Sequence, residues 1–213
     1  MFAAGIAIAL LALALFAAPW ARFRDSGLRN AFGAACAALL VLWQMQFELD
    51  SGLRLHLAGA TVLTLIVGPW LATVGLGLVA AASSLTLGVS PTPVVDWALR
   101  FLGAGGFPVL LTWGVVRILR RFAPAHPFVY IFGNGFFAAG LALAGGGALA
   151  GLLGLAGGRG EAATLLEVWL PALSLLAFAE AWLSGMIVTL LVVYRPQWLS
   201  SFDASCYLAR RGD

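Results

Sequence analysis

The stretch DSGLRLHLAGATVLTLIVGPW, residues 50–70, decides how the rest of the chain is interpreted. It places an acid, an arginine and His56 directly before a long apolar run, which closes on Gly68-Pro69-Trp70. Because the surrounding sequence is almost entirely apolar, His56 is one of very few side chains able to do chemistry at a membrane boundary. We therefore interpret the remaining chain as a helical scaffold that holds this segment.

The composition is that of an integral membrane protein. Of the 213 residues, 62% are hydrophobic and 10% are charged, whereas soluble domains carry about 25% charged residues. All twelve basic residues are arginines. They cluster where apolar runs end, which is typical of topology signals rather than of nucleic-acid binding. No disulfide is expected, because the predicted topology keeps Cys36 and Cys206 apart.

Apolar runs near the length of a membrane helix, about 20 residues, predict seven spans in one integral membrane domain, residues 1–213. The predicted spans are 2–20, 30–46, 55–67, 72–87, 97–119, 128–156 and 164–194. The third and fourth spans share one apolar run, which Gly68-Pro69 breaks because proline interrupts a helix. The expected fold is an all-α, polytopic transmembrane helix bundle. Glycines concentrated in the sixth span predict close helix packing there.

The distribution of arginines predicts the orientation in the membrane. With the N-terminus outside, nine arginines fall on the inner side and three on the outer side, as the positive-inside rule requires. No positive charge precedes the first apolar run, so this run is predicted to be a retained helix and not a signal peptide. The C-terminus is then cytoplasmic.

His56 is the first candidate for binding chemistry. The predicted topology places it at the outer surface, close in sequence to Met45, Glu48 and Asp50. Imidazole nitrogen, carboxylate oxygen and thioether sulfur are all metal ligands in proteins. These four residues are the predicted metal-binding set. In the alternative interpretation His56 and Arg54 are interfacial anchors facing lipid headgroups, since zinc sites commonly have three or four protein ligands and one histidine is not a metal site.

Two polar residues inside predicted spans form the second candidate group. An acid at bilayer depth, here Glu180, costs roughly 2.5–3.5 kcal/mol on insertion scales and is a functional candidate by default. Asn134 lies a couple of turns into the sixth span and also needs a polar partner, which could be Glu180 or a substrate. We predict that Glu180 and Asn134 form a buried polar brace or relay.

Catalytic signatures are missing from the sequence. It contains no phosphate-binding GxxxxGK[ST] loop, no HExxH and no GxSxG, each of which marks a well-known reaction class. An intramembrane enzyme would need Glu180 beside a histidine, but His56 and His126 are predicted on opposite sides of the membrane. We therefore expect neither an enzyme nor an organic cofactor.

Two segments resemble a known family. Ser51-Gly52, His56-Leu57, Gly59-Ala60 and Gly68-Pro69-Trp70 are similar to the S-G-H-L-x-G-A…L-G-P-W segment of the cobalt/nickel-type membrane substrate subunits of energy-coupling factor (ECF) transporters. Three additional residues separate the glycine from the histidine here. The sequence from Glu180-Ala181 through Ser184-Gly185 to Arg195-Pro196 resembles the same family's E-A-x-x-T-G…R-P ending.

The resemblance implies a function. The subunit would bind a divalent transition-metal ion as substrate near the outer surface of a bacterial-type inner membrane, and a coupling protein and ATPase subunits would drive uptake. That family holds its metal with the N-terminal amine, a histidine at the second position and the histidine of the S-G-H segment. Only the last has a counterpart, His56, because Phe2 occupies the second position. Met45, Glu48 or Asp50 would complete the site.

The resemblance also implies a cytoplasmic coupling surface. The charged residues available for it are Arg117, Arg120, Arg121 and His126, although the sequence alone favours a solvated interfacial histidine at position 126. The alternative function is a membrane assembly or accessory protein that acts through helix contacts without a transported ligand, as the glycine-rich sixth span would allow. The sequence leaves the oligomeric state open, a homo-oligomer included.

Overall fold

The computed structural model describes residues 2–48, 54–86, 92–158 and 161–203, and for Phe47, Glu48 and Arg54 it describes the backbone alone. Within these ranges the chain is almost entirely helical, as the apolar runs predict. The helices are α1 (Phe2–Ala17), α2 (Ser26–Gln44), α3 (Ala60–Val67), α4 (Pro69–Thr86), α5 (Pro93–Phe122), α6 (Pro127–Ala156) and α7 (Ala162–Tyr194). Two-residue strands, β1 (Phe47–Glu48) and β2 (Arg54–Leu55), pair antiparallel between α2 and α3.

The surface of the bundle is suited to lipid. Large apolar side chains on α7 that point away from the other helices, among them Leu175 and Phe178, are exposed. Soluble monomers rarely expose contiguous apolar patches of large extent. The chain is therefore a multi-pass membrane protein, in agreement with its composition.

The helices do not match the seven predicted spans one by one. Among the described residues, α2, α4, α5, α6 and α7 are long and apolar enough to cross a membrane, and α1 is a shorter apolar helix. Helix α3 has eight residues. Its length of about 12 Å is less than half of the roughly 30 Å hydrocarbon core. The count of seven spans and the orientation of the termini thus stay predictions.

The prediction of one continuous helix over residues 55–67 is wrong. Leu55 belongs to β2, residues 56–59 are irregular, and the helix begins only at Ala60. The physical reason is local, because Gly59 has φ +61°, a left-handed conformation that ends regular helix and favours glycine. At the other end, Gly68 with φ +88° separates α3 from α4, so the predicted break is present, but the new helix begins at Pro69, whereas the predicted span begins at residue 72.

Helix α3 is a half-helix enclosed by the rest of the bundle. Seven of its eight residues are buried. A helix leaves unpaired N–H groups at its start and unpaired carbonyls at its end, and at membrane depth such groups must find partners within the protein. Both ends of α3 therefore depend on residues far away in the sequence.

The C-terminal end of α3 is closed by residues 199–202, which we call the tail segment. The backbone N–H of Ser200 donates to the Ile66 carbonyl at 3.1 Å, and that of Ser201 donates to the Leu65 carbonyl at 3.3 Å. The Ser201 hydroxyl donates to the same Leu65 carbonyl at 3.1 Å. The tail segment thus pairs two carbonyls that the short helix cannot pair itself.

Other side chains hold this end in place. The Arg22 guanidinium donates to the Val67 carbonyl at 3.0 Å. Since the Ser201 hydroxyl proton goes to Leu65, the Tyr130 hydroxyl is the donor in the 2.6 Å bond between Tyr130 and Ser201. Arg120 donates to the Ser201 carbonyl. Helices α5 and α6 therefore fix the tail segment against α3.

Helix α6 packs closely against α5, as its glycines predict. A β-carbon at Gly146 would overlap the carbonyl oxygen of Gly103 on α5 and would lie 2.9 Å from Pro108. On another side of α6, a β-carbon at Gly147 would overlap Leu173 of α7. Glycines at these positions let the backbones of three helices approach each other.

Candidate functional site

His56 lies in the irregular segment between β2 and α3, with a side chain that is 9% exposed. Its Nδ1 is 3.0 Å from the carbonyl oxygen of Leu57. A carbonyl can only accept, so Nδ1 carries the ring proton in this contact and Nε2 keeps its lone pair. Histidines that ligate metals commonly use one ring nitrogen while the other donates to a carbonyl or carboxylate in this way.

Trp43, at the end of α2, holds the same segment from one side. Its ring centroid is 4.7 Å from that of His56, and its Nε1–H donates to the Ala58 carbonyl at 3.0 Å. The Trp43 side chain is fully buried. Sequence reasoning missed this residue, and the one signal available was a tryptophan at the end of an apolar run that precedes the histidine.

Glu180, near the middle of α7, holds the segment from another side. The carboxylate is 1% exposed, and its two oxygens accept from the backbone N–H groups of Ala58 at 3.0 Å and Gly59 at 2.7 Å. The Ser184 hydroxyl donates to the same carboxylate at 3.3 Å. The acid thus lies at the start of α3, where unpaired N–H groups favour a negative charge.

Asn134 lies in the π-helical stretch Tyr130–Phe137 of α6 and is 1% exposed. Its Oδ1 has no hydrogen-bond partner among the described residues. Within the same part of the chain, no hydrogen bond joins Asn134 to Glu180, whose partners are Ala58, Gly59 and Ser184. Among the described residues, no hydrogen bond therefore joins the two predicted members of the brace, and the brace stays a prediction.

The structure describes the other predicted metal donors to different extents. Met45 directly follows α2 and is 75% exposed. Glu48 is in β1, where it pairs with Arg54, so its backbone runs beside the strand that leads into His56. Asp50 lies outside the described residues. Among the residues that the structure describes, no group of three or more histidine, cysteine, aspartate or glutamate side chains comes together.

The basic residues after Trp113 lie at the end of α5. Arg117, Arg120 and Arg121 are exposed, and the guanidinium groups of Arg117 and Arg120 lie 5.8 and 6.0 Å from the Trp113 ring centroid, within range of a cation–π interaction. Because Arg120 also donates to the tail segment, it has a structural role that sequence reasoning missed.

His126 begins the next helix. Its side chain is exposed, and its Nδ1 accepts from the Phe128 N–H at 3.2 Å, so it caps the N-terminus of α6.

The roles of Ser200, Ser201 and Arg22 at the end of α3 were also missed. These residues carry no sequence signal, since their partners are backbone carbonyls.

Comparison with known proteins identifies a family for this chain. The model of the family CbiM, cobalt uptake substrate-specific transmembrane region, matches residues 1–198. Neither the curated proteins nor the solved structures contain a match to this chain. The family match confirms the resemblance found in the His56 and Glu180 segments.

Proposed function

The chain belongs to the cobalt uptake substrate-specific transmembrane family, and on this premise we propose that it is the substrate-binding membrane subunit of an ECF-type transporter for a transition-metal ion. Cobalt is the first candidate substrate. The family is one of transporter membrane components, so membership does not favour an enzyme. Nor does it favour the alternative of an accessory protein without a transported ligand.

One observation carries the proposal. The His56 ring packs against the tilted ring of Trp43, and its Nδ1 is held by the Leu57 carbonyl, which leaves Nε2 as the atom able to bind an ion. A ring fixed in one tautomer has already lost the freedom that binding would otherwise remove, and this favours affinity. His56 is therefore the proposed first ligand of the substrate.

The remaining ligands are proposed from the chain just before His56. Pairing of β1 with β2 brings Glu48 alongside Arg54, two residues before His56, and Met45 is exposed at the end of α2. Together with Asp50, they offer oxygen and sulfur donors to complete the coordination of an ion bound at Nε2.

The partners and the location follow from the family. We propose a coupling protein and ATPase subunits that contact Arg117, Arg121 and His126 on the cytoplasmic side of a bacterial-type inner membrane. Arg120 would contribute through its bond to the tail segment. Asn134 and Glu180 remain the proposed buried polar brace or relay, although no hydrogen bond joins them among the described residues.

Substitution of His56 by alanine tests the proposal. We expect the purified subunit to lose more than about a hundredfold in affinity for Co²⁺, because even outer-shell partners of metal ligands are worth 10–100-fold. The measurement is titration with Co²⁺ in detergent or nanodiscs, with circular dichroism as the check on folding.

The matched control is His126→Asn. It removes the other histidine of the chain and retains a residue that is well suited to cap α6. This variant should bind Co²⁺ with the affinity of the unmodified protein. If His56→Ala and the unmodified protein bind Co²⁺, Ni²⁺ and Zn²⁺ with identical affinities, His56 is not a ligand and the proposal is wrong.

A further inference from the structure

Glu180 is a buried carboxylate whose described partners include no cation. Its oxygens accept hydrogen bonds from two consecutive backbone N–H groups, those of Ala58 and Gly59, and from the hydroxyl of Ser184. Acids within membrane helices are rare and usually functional. An acid that only joined two helices could bind any surface of α3, but this one binds the segment that follows His56.

A single peptide group connects Glu180 to His56. The Leu57 carbonyl that accepts from His56 Nδ1 and the Ala58 N–H that donates to Glu180 Oε2 belong to the same peptide group. That group is planar and rigid. The order is therefore imidazole N–H, peptide carbonyl, peptide N–H and carboxylate. Hydrogen bonds in such a chain polarise and strengthen one another.

The neighbouring groups prevent this peptide from rotating. The Ala58 carbonyl accepts from Trp43 Nε1 at 3.0 Å, and the next N–H, of Gly59, is held by the other oxygen of Glu180 at 2.7 Å. A β-carbon at Gly59 would overlap a methyl group of Leu39, so the backbone is also confined from the side of α2.

We propose that Glu180 is a positioning residue for the substrate ion: through the Leu57–Ala58 peptide group it fixes the tautomer and direction of the His56 ring and so presents Nε2 to the metal. In many metal sites a carboxylate accepts directly from the histidine ligand. Here a peptide group stands between the two. The inference rests on the proposed function, but its first test does not require a bound metal.

Glu180→Gln is the decisive variant. A glutamine has one acceptor oxygen and an NH₂ group that can only donate, so it cannot offer each amide an oxygen of its own, and it carries no charge to polarise the peptide. Glu167→Gln is the matched control, since Glu167 is an exposed glutamate on the same helix.

The first measurement is nitrogen NMR of the protein labelled with ¹⁵N-histidine. The chain has two histidines, and His126→Asn assigns the signals. The unmodified protein should show His56 in the Nδ1–H form. In Glu180→Gln we expect the His56 signals to move toward a mixture of tautomers, with the His126 signals unchanged and no effect from Glu167→Gln. Unchanged His56 signals in Glu180→Gln would overturn the proposal.

The second measurement is Co²⁺ affinity together with the visible absorption spectrum of bound Co²⁺, which reports ligand geometry. We expect Glu180→Gln to lower the affinity by about 10–100-fold, the usual effect of removing an outer-shell partner, and to alter the spectrum. If Glu180 only supported folding, the folded fraction would bind Co²⁺ with unchanged affinity and spectrum, and this result would also overturn the proposal.

The two hypotheses fail in different ways. If the unmodified protein binds no Co²⁺, the proposed function is wrong, whereas the histidine spectra still decide whether Glu180 controls the His56 ring. Should Glu180→Gln fail to fold, Glu180→Asp replaces it in the histidine NMR measurement. Aspartate keeps the charge, but its side chain is one methylene group shorter, which moves the carboxylate away from the Ala58 and Gly59 amides. The His56 signals should move in this variant too, and unchanged signals count against the proposal.

Discussion

Truncation of the chain after Trp198 will strongly destabilise the folded protein, although it removes no residue of any helix α1–α7. The tail segment buries Leu199 and Phe202, which are 2% and 8% exposed, and burial of such side chains contributes about 1.5–3 kcal/mol each. Its loss also leaves the Leu65 and Ile66 carbonyls of α3 without their donors. Each unpaired buried group costs about 1–3 kcal/mol.

The expected total is at least about 5 kcal/mol, comparable with the stability of many whole domains. A thermal unfolding scan in one detergent should show a melting temperature lower by more than about 10 °C. The control is truncation after Asp203, which keeps every contact of the tail segment described above and should melt close to the full chain. Equal melting temperatures for the two truncations would show that residues 199–202 do not support α3.

Substitution of Gly146 by valine will separate α5 from α6. A β-carbon at this position overlaps a backbone carbonyl, that of Gly103, and backbone cannot rotate away as a flexible side chain can. The helices must move apart and lose packing along their length. Overpacking in well-packed interiors typically costs about 1–3 kcal/mol and occasionally more. Because both partners here are backbone, we expect the upper end or beyond.

The control is Gly114→Ala on α5, where a β-carbon would meet nothing within 4 Å. Alanine is the better helix former by about 1 kcal/mol, so this variant should melt at or above the temperature of the unmodified protein. The same thermal scan decides the matter. If the Gly146→Val and Gly114→Ala proteins have the same melting temperature, the close approach of α5 and α6 is not required for folding.

Local sequence was sufficient to predict the long helices and the family. Long apolar runs predict helices because only helices pair every backbone group within one segment in lipid. The break at Gly68-Pro69 was likewise predictable, since proline cannot continue a helix. The motifs around His56 and Glu180 led to the family that the comparison confirms.

Sequence reasoning failed for hydrogen bonds whose two partners are far apart in the sequence, or in which one partner is a backbone group. Hydropathy favoured one helix over residues 55–67, but the helix starts at Ala60 because Gly59 is left-handed and Glu180 binds the two amides before Ala60. The brace of Glu180 and Asn134, which stays a prediction, was inferred because both are polar side chains in apolar spans. A carboxylate is satisfied equally well by peptide N–H groups, and these have no sequence signature.

The amino-acid sequence by itself determined that this is a helical membrane protein and that His56 and Glu180 are exceptional within it, because polar groups in hydrocarbon are costly wherever they occur. Only the tertiary structure decided that the side chains of these two residues hydrogen-bond to the same peptide group, since Ala58 and Glu180 are 122 positions apart in the sequence. It alone also decided that a half-helix is closed by the tail segment. Nearly every residue carries the same backbone N–H and carbonyl groups, so the sequence does not show which of them a distant side chain will bind.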